Sequence, residues 1–591
     1  MSVNHITSDY LLDDIEHHFR VSAGPGAGKT HWLVEHIKNV LYNSDRLAKT
    51  RKIACITYTN IAVETILGRL GTSADRVEVS TIHSFLYKNI LKPYAPLIAS
   101  DFGLNVEEID GHDEHFASIK KMVSWVEAHP NVRQLKHPYS VNQLTRLENN
   151  KKALLNWLGS LTYKLDNQGV IEIISDRSKA YYFDVKRMQL NRNCLNVLES
   201  DFLNYKKLYW SEGKISHDDV LFLSYQIIKK FPFVLEVLRA KFPYFFVDEF
   251  QDSNPIQVEI LKLIGEKETV IGIIGDKAQS IYGFQGAMPS QFHTFNLGHV
   301  IDYVMSDNRR SSNEIIEILN FLRGDITQNS FRNESSMQPT ILVGEMSLAL
   351  QYAKSICKNE NVTSLSRQNI TSNAMKIEIG GVSLNGKLFN DLSDKDSNRD
   401  RRVLITACIK AVEFAREKKF KDSIKELEKI YRYKNDKQKG KRKALMQITT
   451  LLEKYDEFKN GSLYDFSVFV KREINPEIAK VSGGAIRPFY DGHTYLQIAL
   501  CVSITEDMSL HKTIHKSKGD EFDNVLLVLK KEIDLSFILA PNINDDTNAA
   551  EEQRVNYVAV SRARNRLFIS VPTLSAVNEE FLKTKFTMVI L

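Results

Sequence analysis

Five cysteines in 591 residues (Cys55, Cys194, Cys357, Cys408 and Cys501) are too few and too scattered to frame a fold. The chain has no CxxC pair and no zinc-like cluster, which argues against a disulfide scaffold, a structural zinc and an iron–sulfur centre. No apolar run reaches membrane-spanning length and no signal peptide is present, so a protein of the reducing cytoplasm, with no membrane partner, is expected. Internal repeats and low-complexity linkers are also missing. Charge of one sign is scarce: 78 Lys+Arg against 73 Asp+Glu leave a formal net charge of +5, a weak pointer to nucleic acid. What remains is a long, mixed-charge chain that exceeds one hydrophobic core and implies several domains.

Two segments carry chemistry. Ala23–Thr30 (AGPGAGKT) follows the short apolar run Phe19–Ser22 and precedes a helix-patterned stretch, Trp32–Val40. A turn made of Ala23, Gly24, Pro25, Gly26, Ala27 and Gly28 points backbone N–H groups at phosphate oxygens, and the helix N-terminus adds partial positive charge. Lys29 is then expected on the β- and γ-phosphates and the Thr30 hydroxyl on Mg²⁺. Phe245–Asp252 (FFVDEFQD) supplies the other half. An apolar strand over Pro243–Val247 ends in Asp248, the metal candidate, and Glu249, placed to orient or deprotonate an attacking water. Together they predict hydrolysis of a nucleoside triphosphate, ATP or another, with Mg²⁺.

Further strand-like runs end in polar groups. Ile53–Thr59 (IACITYT) is followed by Asn60 and a helix-like Ile61–Leu70, and Val77–Phe85 (VEVSTIHSF) ends in Ser80, Thr81, His83 and Ser84. Thr59, Asn60, Thr81 and His83 suit hydrogen bonds to a sugar–phosphate backbone, or ordinary helix caps. Val270–Ala287 (VIGIIGDKAQSIYGFQGA) gives a buried strand, Asp276, then Gln279, Tyr282 and Phe284 among glycines. Gln279 is placed to read a γ-phosphate, while Tyr282 and Phe284 offer ring faces to unpaired bases.

The order of these motifs resembles the UvrD/Rep/PcrA family of superfamily 1A DNA helicases over most of the chain. Asn308–Ser312 (NRRSS) resembles the family's fourth motif, with its arginine at Arg310. Thr513–Phe522 (TIHKSKGDEF) resembles the fifth, which implies a ribose contact for Glu521 and DNA-backbone contacts near His515. Glu551–Ala563 (EEQRVNYVAVSRA) resembles the sixth, with a phosphate-contacting arginine at Arg562. Lys214–Leu223 and Leu365–Asn369 are similar to the family as well. Arg310 and Arg562 would stabilise charge on the γ-phosphoryl oxygens. Both lie in the second half of the chain, whereas Lys29, Asp248 and Glu249 lie in the first, so hydrolysis is expected to couple to closing and opening of a cleft.

The expected architecture is α/β, two RecA-like parallel-sheet lobes, each interrupted by a mainly helical accessory insert. Residues 1–90 and 200–290 would form the first lobe around an insert at 91–199. Residues 291–372 and 500–591 would form the second around a short insert at 373–499. That insert holds a basic run, Lys437, Lys439, Lys441, Arg442 and Lys443, which reads as a duplex-phosphate track or a solvated helix. Departures from the family are specific. No glutamine occurs in residues 1–22 to read adenine, Gln285 stands for the usual arginine, and Phe284 for the usual tryptophan. The short tail after Arg562 implies no fused nuclease. The resemblance extends to the UvrD-like subunits of anti-phage systems of the Gabija GajB type, which work beside a nuclease partner. The implied activity is 3′→5′ translocation on single-stranded DNA with unwinding of partly duplex DNA. The alternative is a subunit that senses DNA ends or nucleotide without unwinding.

Overall fold

The computed structural model describes residues 4–113, 117–135, 144, 145, 147–181, 189–378, 384–430, 437–484, 486–504 and 509–591. The chain divides into two compact units, Met1–Asp307 and Asn308–Leu591.

The first unit is built on seven strands: β1 (Asn4–His5), β2 (His18–Ala23), β3 (Ile53–Thr57), β4 (Val77–Thr81), β5 (Tyr244–Val247), β6 (Val270–Gly275) and β7 (Val300–Met305). Their order is β1-β7-β2-β6-β5-β3-β4, and every pairing is parallel. A parallel sheet is covered on both faces, which is why β3, β5 and β6 are buried at every residue. Alternation sorts the side chains between the two layers: Tyr244 and Phe246 join Phe19 and Trp32 on one face, while Phe245 and Val247 join Phe85 and Leu223 on the other. Gly272 in β6 is required by packing, since a Cβ there would lie 2.1 Å from the Phe19 ring. The last strand, β7, lies beyond residue 290, so this sheet takes in more chain than the hydrophobic pattern alone assigns to it.

Because the strands are parallel, the C-terminal ends of β2, β5 and β6 share one edge. The loops carrying Lys29, Asp248 and Asp276 therefore gather there. The chain between β4 and β5 is mainly helical, with one antiparallel hairpin pairing Thr162–Leu165 with Ile171–Ile174. Part of it has its own core of Met122, Trp125, Trp157 and Phe202.

The main sheet of the second unit has six strands: β8 (Thr340–Val343), β9 (Val362–Ser366), β10 (His511–Thr513), β11 (Phe522–Val528), β12 (Ala563–Val571) and β13 (Thr587–Ile590). They run in the order β10-β9-β11-β12-β8-β13, again all parallel. Between β9 and β10 lies a helical insert with a separate core that includes Leu404, Cys408, Phe458, Phe466 and Tyr495. Its helix Lys437–Glu453 exposes Lys439, Lys441, Arg442 and Lys443; residues 431–436, part of the charged stretch before it, lie outside the described residues. The five cysteines are free thiols, all buried except the partly exposed Cys501. Among the described residues, no helix is long and apolar enough to cross a membrane.

Candidate nucleotide and nucleic-acid site

The loop after β2 closes through two glycines in left-handed conformations, Gly26 at φ 72° and Gly28 at φ 86°. Gly28 is doubly constrained, because a Cβ would also lie 2.8 Å from Ser8 Cβ. From it springs α1 (Lys29–Asn43), whose first turn carries no acidic side chain and whose N-cap makes no side-chain hydrogen bond. The orphan N–H groups and the positive end of the helix dipole thus face the loop. Lys29 Nζ lies across the loop, 3.4 Å from the carbonyls of Ala23 and Gly24. Thr30 follows in the same turn and is partly exposed. The loop is a cradle with an amine over it, and it fits the polyphosphate of a nucleotide.

At the end of β5, Asp248 is buried and its N–H pairs with the Ile56 carbonyl at 2.8 Å. Glu249 has φ 54°, a conformation that non-glycine residues adopt only when the surroundings hold them there. Its N–H bonds Asp248 Oδ1 at 3.0 Å, and its carboxylate accepts a hydrogen bond from Gln251 Nε2. Gln251 in turn accepts the Asp276 N–H at 3.0 Å. Asp276 caps the short turn that follows β6 and takes a 2.6 Å bond from Gln279 Nε2. Sequence reasoning missed Gln251; the DEFQD run displays it, but nothing local shows that it would face inward. Asp248 and Thr30 are oxygen donors suited to Mg²⁺.

The loop after Gln279 presents aromatic groups of unequal standing. Phe284 is 67% exposed. Tyr282 is buried, and one face of its ring is covered by Tyr58 at 4.4 Å between centroids, 27° from parallel. The Tyr58 hydroxyl bonds the side-chain carbonyl of Gln285. Burial, with Asp252 and Tyr282 nearby, pushes its pKa well up, so Tyr58 stays a neutral donor. Tyr58 is a second residue that sequence reasoning missed; the polar end of the ITYTN run drew attention to its neighbours instead. Those neighbours have local work: Thr59 caps the helix Asn60–Leu70 through Ala62 N, and Thr81 caps Ile82–Leu86 through Ser84 N. Asn60 is exposed. His83 stacks loosely into a group with His112 and His217, whose Nδ1 atoms lie 2.7 Å apart. Burial, then the charges of His217 and His112, hold His83 down at about 4.

In the second unit, the three remaining motifs converge. Arg310 Nε bonds Glu521 Oε2 and its Nη1 bonds the Ser561 carbonyl, both at 2.9 Å. Arg562 is buried, bonding the carbonyls of Val558 and Asp520 at 3.1 and 3.3 Å and Ser561 Oγ at 3.0 Å. Glu521 also lies 3.5 Å from Arg564. Arg332, which no motif contains, bonds the Arg310 carbonyl at 2.5 Å. His515 is partly buried in the short turn Ile514–Ser517, and Arg367 forms a two-pronged pair with Glu552 at 2.9 and 2.6 Å.

Comparison with known proteins agrees with this geometry. Residues 7–298 match the UvrD/REP helicase N-terminal domain. Similar proteins include the Gabija protein GajB of Bacillus cereus, 28% identical over 336 residues, 51% of this chain and 46% of that one. The probable DNA helicase II homolog of Mycoplasma genitalium is 22% identical over 614 residues, 93% of this chain and 82% of its own. The ATP-dependent DNA helicase PcrA of Staphylococcus aureus is 22% identical over 643 residues, covering 94% and 81%. The match thus spans less than half of GajB but most of the two helicases. On the phosphate loop, the acidic strand end and these matches, residues 7–298 of the chain form a domain of the UvrD/REP helicase type.

Proposed function

We propose that this protein is an NTP-driven DNA motor, using ATP with Mg²⁺, that moves 3′→5′ along single-stranded DNA and separates duplex. The observation that carries the proposal is the shared sheet edge on which the Lys29 loop, Asp248–Glu249 and the Gln279–Phe284 loop meet. In this reading, the Ala23–Thr30 loop holds the phosphates, Thr30 and Asp248 hold the metal, and Glu249 directs water. Gln279 reports the γ-phosphate, and Phe284 stacks a base. Arg310 and Arg562 keep the charge-stabilising role expected from the sequence, and Glu521 the ribose contact. Thr59, Asn60, Thr81, His83 and His515 line the strand, with Tyr282 setting the floor under Phe284. The likeness to GajB supports a place in an anti-phage system; a nuclease partner and a cytoplasmic location are the expectations that the sequence set.

One observation favours the alternative, a sensing subunit that does not unwind: Gln285, neutral and bonded to Tyr58, stands where the family resemblance leads one to expect an arginine. The proposal is tested by steady-state hydrolysis with and without single-stranded DNA. The parent protein should be stimulated by DNA, and Lys29→Ala should abolish turnover in both conditions. Hydrolysis by Lys29→Ala at the parent rate would refute the assignment of the phosphate loop.

A further inference from the structure

Two assemblies in the first unit are separated in sequence: the acidic strand end with Glu249, and the Asp276–Ala287 loop with Gln279 and the aromatic residues. The Gln251 side chain joins them. Gln251 is wholly buried. Its Nε2 donates to Glu249, its Oε1 accepts the Asp276 N–H at 3.0 Å, and its backbone carbonyl accepts the Ser280 hydroxyl at 3.0 Å. The opening it occupies exists because residue 275 is glycine; a Cβ there would lie 2.4 Å from Gln251 Oε1. Beyond Ser280 the chain runs straight into Tyr282, stacked on Tyr58, and then into the exposed Phe284.

The chemistry of the bridge is specific. It needs a donor toward a carboxylate and an acceptor toward a backbone N–H on one short side chain, and an amide supplies both. An ionised glutamate at this position keeps only the acceptor, and methionine offers little of either. Glu249 holds a left-handed backbone conformation, and the Gln251 amide is one of the groups that fix its carboxylate.

We propose that Gln251 is a positioning residue that ties the Glu249 carboxylate to the Asp276–Ala287 loop, so that a base stacked on Phe284 sets the orientation of the water-directing group. This rests on the hydrolysis reading above. The bridge gives that coupling a physical element: a buried amide that both the strand end and the loop hold, and that moves with either.

The test uses the full chain with Mg·ATP and an oligo-dT strand, in Gln251→Met, Gln251→Glu and Ser280→Ala variants. Both Gln251 variants should lower kcat at saturating DNA by about tenfold or more, with KM for ATP and affinity for oligo-dT within about twofold of the parent. Ser280→Ala, which removes only the loop-side hydroxyl bond, should lose part of the DNA stimulation in the same direction. Adding Phe284→Ala to Gln251→Met should cost little more than either change alone, because both lie on one route. Fully additive losses, or DNA-stimulated kcat within about twofold of the parent in both Gln251 variants, would overturn the proposal. So would a joint fall of both ligand affinities with the melting temperature, which marks a packing role. A parent chain whose hydrolysis ignores DNA would refute the motor reading itself, and this inference with it.

Discussion

At the scale of single residues, the site is defined by groups held where they would not sit unaided. Glu249 is the clearest: its left-handed φ costs on the order of 1–3 kcal/mol, retained because Asp248 and Gln251 fix it from both sides. Its proposed work lies in the chemical step, not in nucleotide binding. Glu249→Gln should therefore bind ATP with parent-like affinity, measured by fluorescent-nucleotide titration, and stall in turnover. A variant that hydrolysed normally would move the water-directing role elsewhere. Phe284 makes the complementary case for the proposed DNA contact. With 67% of its surface exposed, it has little packing to lose. Phe284→Ala should weaken oligonucleotide binding by about 1–3 kcal/mol, one stacking interaction, with the melting temperature unchanged. Loss of thermal stability in step with binding would show a core residue instead.

At the scale of elements, α1 links the phosphate loop to the core and gives the first unit a pH dependence. His36 on its buried face stacks on Trp32 at 4.9 Å and 4°, with Phe19 and Phe246 around it. Neither ring nitrogen has a hydrogen-bond partner among the described residues, and burial holds its pKa at about 3. The folded protein thus keeps this imidazole neutral while the unfolded chain protonates near 6.5. Its contribution is complete above pH 6.5 and is lost as pH falls toward 3. Between pH 6.5 and 5 the loss is about 2 kcal/mol. His36→Phe should flatten the fall of melting temperature over that range, without abolishing it, because His83 shifts in the same direction. An acid limb identical to the parent's would contradict the buried neutral imidazole. Much of this element scale was readable beforehand: the runs at Phe19–Ser22, Ile53–Thr57 and Val270–Gly275 lie in strands, because a sheet covered on both faces needs apolar sequence, and of the run Val77–Phe85 the part Val77–Thr81 is a strand before a short helix takes over. The strand β7 was not, since only two of its residues are buried and its pattern is that of a partly exposed segment.

At the scale of the whole molecule, what the sequence revealed and what it withheld divide along contact order. Lys29, Thr30, Asp248 and Glu249 stood out as candidates because phosphate and metal chemistry demands particular residues at fixed spacing within a few positions. Gln251, Tyr58 and Arg332 were not, because their meaning lies in partners such as Asp276, Gln285 and Arg310, brought near only by the sheet and its loops. The unequal roles of Tyr282 and Phe284 were hidden for the same reason: Tyr58 covers one ring and leaves the other exposed.

The central claim, that this chain turns nucleotide hydrolysis into directed movement on DNA, is tested most directly by strand displacement with the isolated protein. A duplex with a 3′ single-stranded tail and one with a 5′ tail are each offered with Mg·ATP. The account predicts displacement from the 3′-tailed duplex alone, none without ATP, and none with Lys29→Ala. DNA-stimulated hydrolysis with no displacement from either substrate would contradict it, and would leave the sensing subunit as the reading that stands.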